Sequence, residues 1–486
     1  MSLKEQTVSG IIWSFIDNSL TQIITFIVGV VLARLLSPAE FGLIGMIAIF
    51  IAVSEGLVDS GFSQALIRKI DCSEKDYNTV FYFNIFISAI IYLILFFSAP
   101  YIAEFFKEPK LIDILRVLSL SVLINAIGLV QLTQLNKNIK IKIQTKISVM
   151  ANVFSGSLAI YFAYNGFGVW SLVLRNLINY SIRNFLYWFY NNWRPKIIFS
   201  LKSFKEMYAF GSKLLVSGII NRIFENLYYF VIGKYFSAEQ LGYYTRADTF
   251  AKLPSSNLNG VIQRISYPVL AKLQNDDELL KSGLRKLIKS TMFITFITMM
   301  LLAATSESLV LTLIGEKWRQ SISYLQMLCF VFMFFPLHSL NLNMLNVKGR
   351  SDLFLKLEII KKIIAVPVVI TGIVFGIYAM IIGMIISSSI AYYLNSYYTG
   401  KLLKYNAKQQ LSDIFPFILL ASLIGTITFI SGQIINTKPF FLFIFQTLIG
   451  LMFVFTFSEI LKLEPYLEIK SIVISKLRNR IPNNDK

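Results

Sequence analysis

An all-α membrane protein of about fourteen transmembrane helices is the fold class this 486-residue sequence predicts, on three observations. Apolar residues make up 55% of the chain and charged ones 15%, with a mean hydropathy of +0.63, which excludes a soluble globule. Apolar runs of roughly 20 residues recur from end to end, each long enough to cross a hydrocarbon core of about 30 Å. The chain also repeats itself. Ser37–Gly42 reads SPAEFG at the end of a long apolar segment, and Ser237–Gly242 reads SAEQLG in the same setting. Around these motifs Arg34 falls opposite Lys234, Ala33 opposite Gly233 and Asp17 opposite Ser217. Further on, Leu135-Asn136 answers Leu345-Asn346, and Lys140 answers Arg350. Two six-helix halves related by a parallel internal repeat, with two further C-terminal helices, are the expected architecture.

In order, the spans are expected near 9–34, 39–67, 78–103, 111–136, 143–164, 167–190, 207–235, 239–271, 290–313, 320–346, 352–374, 376–399, 411–434 and 440–461. The first exceeds the apolar stretch of about 7–15 residues in a leader peptide and lacks a small-residue cleavage site, so it is expected to stay as a span. Turn signals separate the rest: Ser37-Pro38, Glu108-Pro109, Asn165-Gly166, Arg194-Pro195, Lys348-Gly349 and Lys438-Pro439. The divisions that follow are 1–200 and 201–405 for the two halves, 406–463 for the added helices, and 464–486 for a basic cytoplasmic tail. That tail reads first as a partly disordered end. A short amphipathic helix lying on the inner leaflet is the alternative.

Charge sorts by loop. Of 46 Lys and Arg residues, 31 fall in alternate segments that include both termini, and 7 in the opposite set. Positive charge collects on the cytoplasmic side, so both termini are expected there. The net charge of +19 is therefore a topology signal. No basic face is interleaved with base-stacking aromatics, and no nucleic-acid partner is expected. Cys72 and Cys329 have no metal or redox spacing. A single histidine, His338, leaves no His-rich metal site and no nucleophile triad. Its place two residues after Pro336 suggests a polar group filling a kink.

Eight basic residues fall within or at the edge of spans, among them Arg222, Arg246, Lys252 and Arg264, with acidic residues Asp17, Glu55, Asp59, Glu225 and Asp248. A charge at bilayer depth costs at least about 2.5–3.5 kcal/mol, so such groups face water or a partner. Their spacing makes stripes. Ser14, Asp17, Asn18, Thr21 and Thr25 share one wall of the first span, and Ser217, Asn221 and Glu225 one wall of the seventh. Glu55, Asp59 and Ser63 mark the second, and Thr249, Lys252, Ser256, Asn259 and Gln263 the eighth. These walls are expected to line a hydrated cavity, acidic on the N-terminal side and more basic on the C-terminal side. The bland alternative is pairing within a helix: Asp248 with Lys252, Arg222 with Glu225. Arg116, Arg175 and Arg183 are expected to be structural.

At Ala33–Met46 (ARLLSPAEFGLIGM), Gly56–Lys69 (GLVDSGFSQALIRK), Leu241–Pro254 (LGYYTRADTFAKLP) and Tyr267–Leu280 (YPVLAKLQNDDELL) the chain resembles the polysaccharide and O-antigen flippases of the multidrug/oligosaccharidyl-lipid/polysaccharide exporter superfamily. The likeness is to the branch with colanic-acid and teichuronic-acid exporters and extends over nearly the whole chain. It implies alternating-access export of a polyprenyl-diphosphate-linked oligosaccharide to the outer leaflet, for lipopolysaccharide, capsule or exopolysaccharide. Membrane lipids are implied as partners, and polymerase and glycosyltransferase neighbours are expected. The diphosphate contacts then fall to Arg222, Arg246, Lys252 and Arg264, with Asn18, Asn259 and Gln263 as polar contacts. Asp17, Glu55, Asp59 and Glu225 would hold a coupling proton or sodium ion, or sugar hydroxyls. No other cofactor and no catalytic residue are expected. A cation-coupled multidrug exporter of the same fold is the alternative; a membrane enzyme would need a sizeable extramembrane loop, and none is visible.

Overall fold

The structure, a computed structural model, describes residues 3–478, without the side chains of 3–12, 14–16, 18, 261, 264, 265, 472, 473 and 476–478. The described residues form helices and connecting turns, with no strand among them. Contacts divide the chain into Met1–Thr245 and Arg246–Lys486. This spatial division does not follow the sequence repeat, because the seventh span packs with the first unit.

The first unit holds α1 (Leu3–Leu35), α2 (Pro38–Asp59), α3 (Phe62–Arg68), α4 (Glu74–Phe106), α5 (Leu111–Leu118), α6 (Leu120–Lys137), α7 (Ile141–Tyr164), α8 (Trp170–Tyr190) and α9 (Leu201–Tyr235). It also holds the start of α10 (Ala238–Lys272). Helix α1 lies along α7, α7 along α8, α4 along α6, and α2 along α9.

The repeated motifs explain themselves locally. Ser37 caps α2 in a reciprocal box with Glu40, and the Ser237 hydroxyl accepts the Gln240 N–H at 3.1 Å to start α10. One turn on, each motif's glycine receives the other's backbone. A Cβ on Gly42 would stand 1.7 Å from the Ala238 carbonyl oxygen, and one on Gly242 1.9 Å from that of Pro38. The contact is self-complementary, as at a local two-fold axis. A second close approach breaks the second span: Gly61 takes φ +70°, separates α2 from α3, and would hold a Cβ only 2.5 Å from the Gly211 carbonyl of α9.

The second unit continues α10 and adds α11 (Asp277–Ala304), α12 (Ser306–Leu313), a 3-10 turn (Glu316–Trp318), α13 (Ser321–Phe332) and α14 (Phe335–Val347). It ends with α15 (Ser351–Phe375), α16 (Ile377–Leu403), α17 (Ala407–Ile434), α18 (Pro439–Ile460) and α19 (Glu464–Arg478). Helix α11 packs on α17, α15 on α16, and α18 on α17 and α12. Buried amides join three helices: Asn341 and Gln410 exchange hydrogen bonds at 3.0 and 3.1 Å, and Thr399 donates to Asn341 at 2.8 Å. His338 follows the break between α13 and α14 and lies 3.0 Å from the Ser388 hydroxyl and 3.3 Å from the Asn395 amide.

Nine helical segments among the described residues are long and apolar enough to cross a membrane, three of them built from paired helices. The sequence predicts fourteen. The other five, α1, α8, α9, α10 and α15, have 33, 21, 35, 35 and 25 residues. In α1 the described apolar stretch, Ser19–Leu35, has 17 residues; α8, α9, α10 and α15 are more polar, with Arg175, Arg183, Arg222, Glu225, Arg246, Lys252 and Glu358 among their charged residues. Of the tail, Glu464–Arg478 form α19, the helical alternative, and 479–486 lie outside the described residues. Lys289 meets Glu464 at 2.9 Å, Lys286 meets Glu468 at 2.6 Å, and Lys470 meets Glu459 of α18 at 2.7 Å.

Candidate functional site

The first unit brings Glu55, Tyr180 and Arg222 together from three helices. Glu55, on α2, accepts the Tyr180 hydroxyl of α8 at 2.6 Å and lies 3.7 Å from the Arg222 guanidinium of α9. The same guanidinium nitrogen donates to the Ala52 carbonyl at 2.9 Å. Gly56 gives the Arg222 side chain room beside α2, since a Cβ there would stand 3.0 Å from its Cδ and press it aside by a few tenths of an ångström. Nε and Nη2 of Arg222 donate to nothing else among the described residues, and its side chain is 38% exposed. One nitrogen is tethered, the charge is loosely balanced, and the rest of a planar fork stays open.

Asp17 of α1 accepts the Thr21 hydroxyl at 3.4 Å and lies within reach of the Arg183 charge on α8. Arg183 in turn donates to the Tyr187 hydroxyl at 3.0 and 3.3 Å. Asp59 stands apart at the end of α2: Ser63 donates to it, and Thr133 of α6 donates to Ser63 at 3.0 Å. Glu225 is exposed on α9 and does not take up Arg222. The alternative of a pairing within α9 is therefore replaced, for Arg222, by a pairing between helices, α9 to α2. The side chain of Asn18 lies outside the described residues.

On α10, Lys252 pairs with Asp248 at 2.7 Å, the i,i+4 arrangement its spacing allows, and its ammonium sits 5.6 Å over the Phe332 ring of α13. Asp248 is buried, so the lysine's charge is balanced where it stands. Arg246 is half-buried, Asn259 is half-buried with a carbonyl oxygen that accepts no hydrogen bond, and Gln263 is exposed. The side chain of Arg264 lies outside the described residues. Each unit thus carries its own share of the predicted polar residues. No group of three or more potential metal ligands occurs among the described residues.

Two residues of this cluster were not singled out in the sequence. Tyr180 was unmarked and Arg183 was assigned a structural role. The signal was there: Asn176, Asn179, Tyr180, Arg183, Asn184 and Tyr187 recur at three and four residues along α8. Arg116 is structural, stacked 4.5 Å over the Phe96 ring and donating to the Phe96 carbonyl at 3.3 Å.

Among curated proteins, the chain is 27% identical over 72% of its length, and 73% of the relative's, to the Teichuronic acid biosynthesis protein TuaB of Bacillus subtilis (strain 168). It is likewise 27% identical to the Lipopolysaccharide biosynthesis protein WzxC of Escherichia coli (strain K12), over 76% of each chain. Among solved structures, the Lipid II flippase MurJ in an inward closed conformation superposes with a TM-score of 0.77 at 17% identity, covering 93% of this chain and 98% of that one. An inward-facing multidrug resistance transporter of the MOP superfamily follows at 0.60 and 16% identity, covering 79% of this chain and 96% of that one. Both share the all-helical, multi-span fold. Residues 31–323 match the family described as Polysaccharide biosynthesis protein, and the chain, a multi-pass membrane protein, belongs to that family.

Proposed function

We propose that this protein moves a polyprenyl-diphosphate-linked oligosaccharide from the cytoplasmic to the outer leaflet, supplying lipopolysaccharide, capsule or exopolysaccharide. The observation that carries the reading is Arg222. Its guanidinium is held at one nitrogen and open at the others, on a helix with a partly exposed polar wall. An open guanidinium fork matches two phosphate oxygens, and each such charge-assisted bond contributes about 1.5–3 kcal/mol. Family membership and the relatives' names in teichuronic acid and lipopolysaccharide synthesis support the substrate class. No covalent step is required, because the barrier is a polar headgroup crossing hydrocarbon, and a wet polar wall lowers it. Access to that wall alternates between the two sides of a bacterial inner membrane, with both termini in the cytoplasm. Asp17, Glu55 and Asp59 carry a coupling proton or sodium ion, or hold sugar hydroxyls. Arg246, Lys252, Arg264, Asn18, Asn259, Gln263 and Glu225 are secondary contacts. The polymerase and glycosyltransferases that use and make the substrate are the expected partners. Multidrug export is less favoured, since a cationic drug would find Glu55 already beside Arg222.

Arg222→Gln tests this. In a strain lacking the native gene, the variant should insert at normal levels, reduce surface polysaccharide at least about tenfold, and cause lipid-linked oligosaccharide to accumulate inside. Arg222→Lys should restore part of the export. Full export by Arg222→Gln would remove the guanidinium from the site.

A further inference from the structure

Residues 191–200, between α8 and α9, form no helix and are nonetheless pinned. The Lys196 N–H donates to the Asn78 side-chain carbonyl at 2.7 Å, and the Ser200 N–H to the Thr79 hydroxyl at 2.9 Å. Both acceptors are fully buried on α4. Lys196 also pairs with Glu74 at 2.7 Å, and the Trp193 ring packs 5.7 Å from that of Phe81. Arg194 donates to the carbonyls of Trp188, Asn191 and Trp193, which fixes the turn out of α8.

This fixed strap shows apolar side chains outward. Ile197 is 96% exposed, Leu201 59% and Phe199 55%. Its pins, Asn78 and Thr79, lie four and five residues past Glu74 at the start of α4, about 6–7.5 Å along the helix at 1.5 Å per residue. The 33 residues of α4 span about 50 Å at that rise, roughly 10 Å more at each end than a hydrocarbon core of about 30 Å, so with α4 centred in the bilayer the strap falls in the headgroup layer beside the acyl boundary. Lys202 and Lys205, in the first turns of α9, are exposed and make no ion pair among the described residues.

We propose that the strap is a docking surface for anionic lipid, with Ile197 and Phe199 at the acyl boundary and Lys202 and Lys205 on headgroup phosphates. The segment joining the repeated halves is then held on two sides, by α4 and by the leaflet. A basic residue near an anionic leaflet contributes about 1 kcal/mol, so two of them make the contact depend on lipid charge.

The test uses the full chain with Cys72→Ser and Ile197→Cys, labelled with a polarity-sensitive fluorophore. The protein is reconstituted in phosphatidylcholine vesicles with or without phosphatidylglycerol. Expected are blue-shifted emission, quenching by brominated acyl chains and protection from iodide, all stronger with phosphatidylglycerol. Lys202→Gln with Lys205→Gln should remove at least half of the phosphatidylglycerol-dependent part. A label placed by Asp71→Cys, in the exposed turn before α4, should stay in water. Water-like emission at position 197 with full iodide quenching would overturn the proposal. So would shielding that appears only when a membrane-free cell extract is added, which would assign the surface to a soluble protein. Equal shielding with and without phosphatidylglycerol would overturn the anionic preference.

Discussion

Gly42 and Gly242 are small because each faces a carbonyl, and a side chain at either must push backbone apart. Gly242→Val should therefore cost more than the usual overpacking penalty of about 1–3 kcal/mol, read as a fall in thermal unfolding midpoint in detergent. Gly218→Ala, where a Cβ meets nothing within 4 Å, is the control and should leave the midpoint unchanged or raised. Equal midpoints for the two variants would mean the reciprocal contact does not exist. The repeat itself was legible in the sequence, since SPAEFG and SAEQLG match by eye. What the repeat was for was not legible, because one-dimensional spacing cannot report two helix starts meeting. Arg222 shows the same limit. Its sequence neighbour Glu225 was the visible partner, while the actual one, Glu55, sits on α2.

Among the elements, most apolar helices were read to within a few residues of their ends, because long apolar runs bounded by Pro, Gly and Asn leave little choice. The span read at 290–313 is instead α11 from Asp277 to Ala304, followed by the separate α12. The other five helices were placed from the pattern of turns between them; α1 has a described apolar stretch of only Ser19–Leu35, and the other four are more polar. Helix α19 is the alternative reading of the tail rather than the first one. Its sequence is charged and only weakly apolar, and ion pairs tie it to α11, through Lys286 and Lys289, and to α18, through Glu459. Exposed pairs of this kind contribute little singly, about 0–1 kcal/mol, so the docking should be marginal and salt-sensitive. The Lys289 ammonium holds the Glu464 carboxyl below its usual 4.5. A carboxylate depressed in the docked state stabilises it at neutral pH, and that contribution is lost as pH falls from 4.5 through the depressed value. Hydrogen exchange in residues 464–471 should therefore speed up with added salt, on acidification below that range, and in Glu464→Gln with Glu468→Gln at pH 7. Slow exchange in all three conditions would show that apolar contacts alone hold α19.

For the whole molecule, the orientation proposed from loop charge is open to labelling. Cysteines at Lys140, Lys202 or Lys404 should react only from the cytoplasm, and ones at Lys107 or Lys438 only from outside. Reaction of the first group with an impermeant reagent in intact cells would reverse the topology. Coupling can be separated from sugar contact at the carboxylates. If Asp17, Glu55 or Asp59 carries a proton, its amide mimics the protonated form and export loses its dependence on the pH gradient, while downhill exchange survives. If the three only bind sugar, every amide variant should keep the gradient dependence and bind more weakly.

The most direct measurement is transbilayer movement of a polyprenyl-diphosphate oligosaccharide in proteoliposomes. The glycan is labelled, and its exposure to a membrane-impermeant glycosidase is followed with time. Wild-type protein should make nearly all of the lipid-linked glycan cleavable, while Arg222→Gln vesicles plateau near the fraction initially outside, as empty vesicles do. A wild-type plateau equal to that of empty vesicles, in both orientations of an imposed ion gradient, would contradict the account.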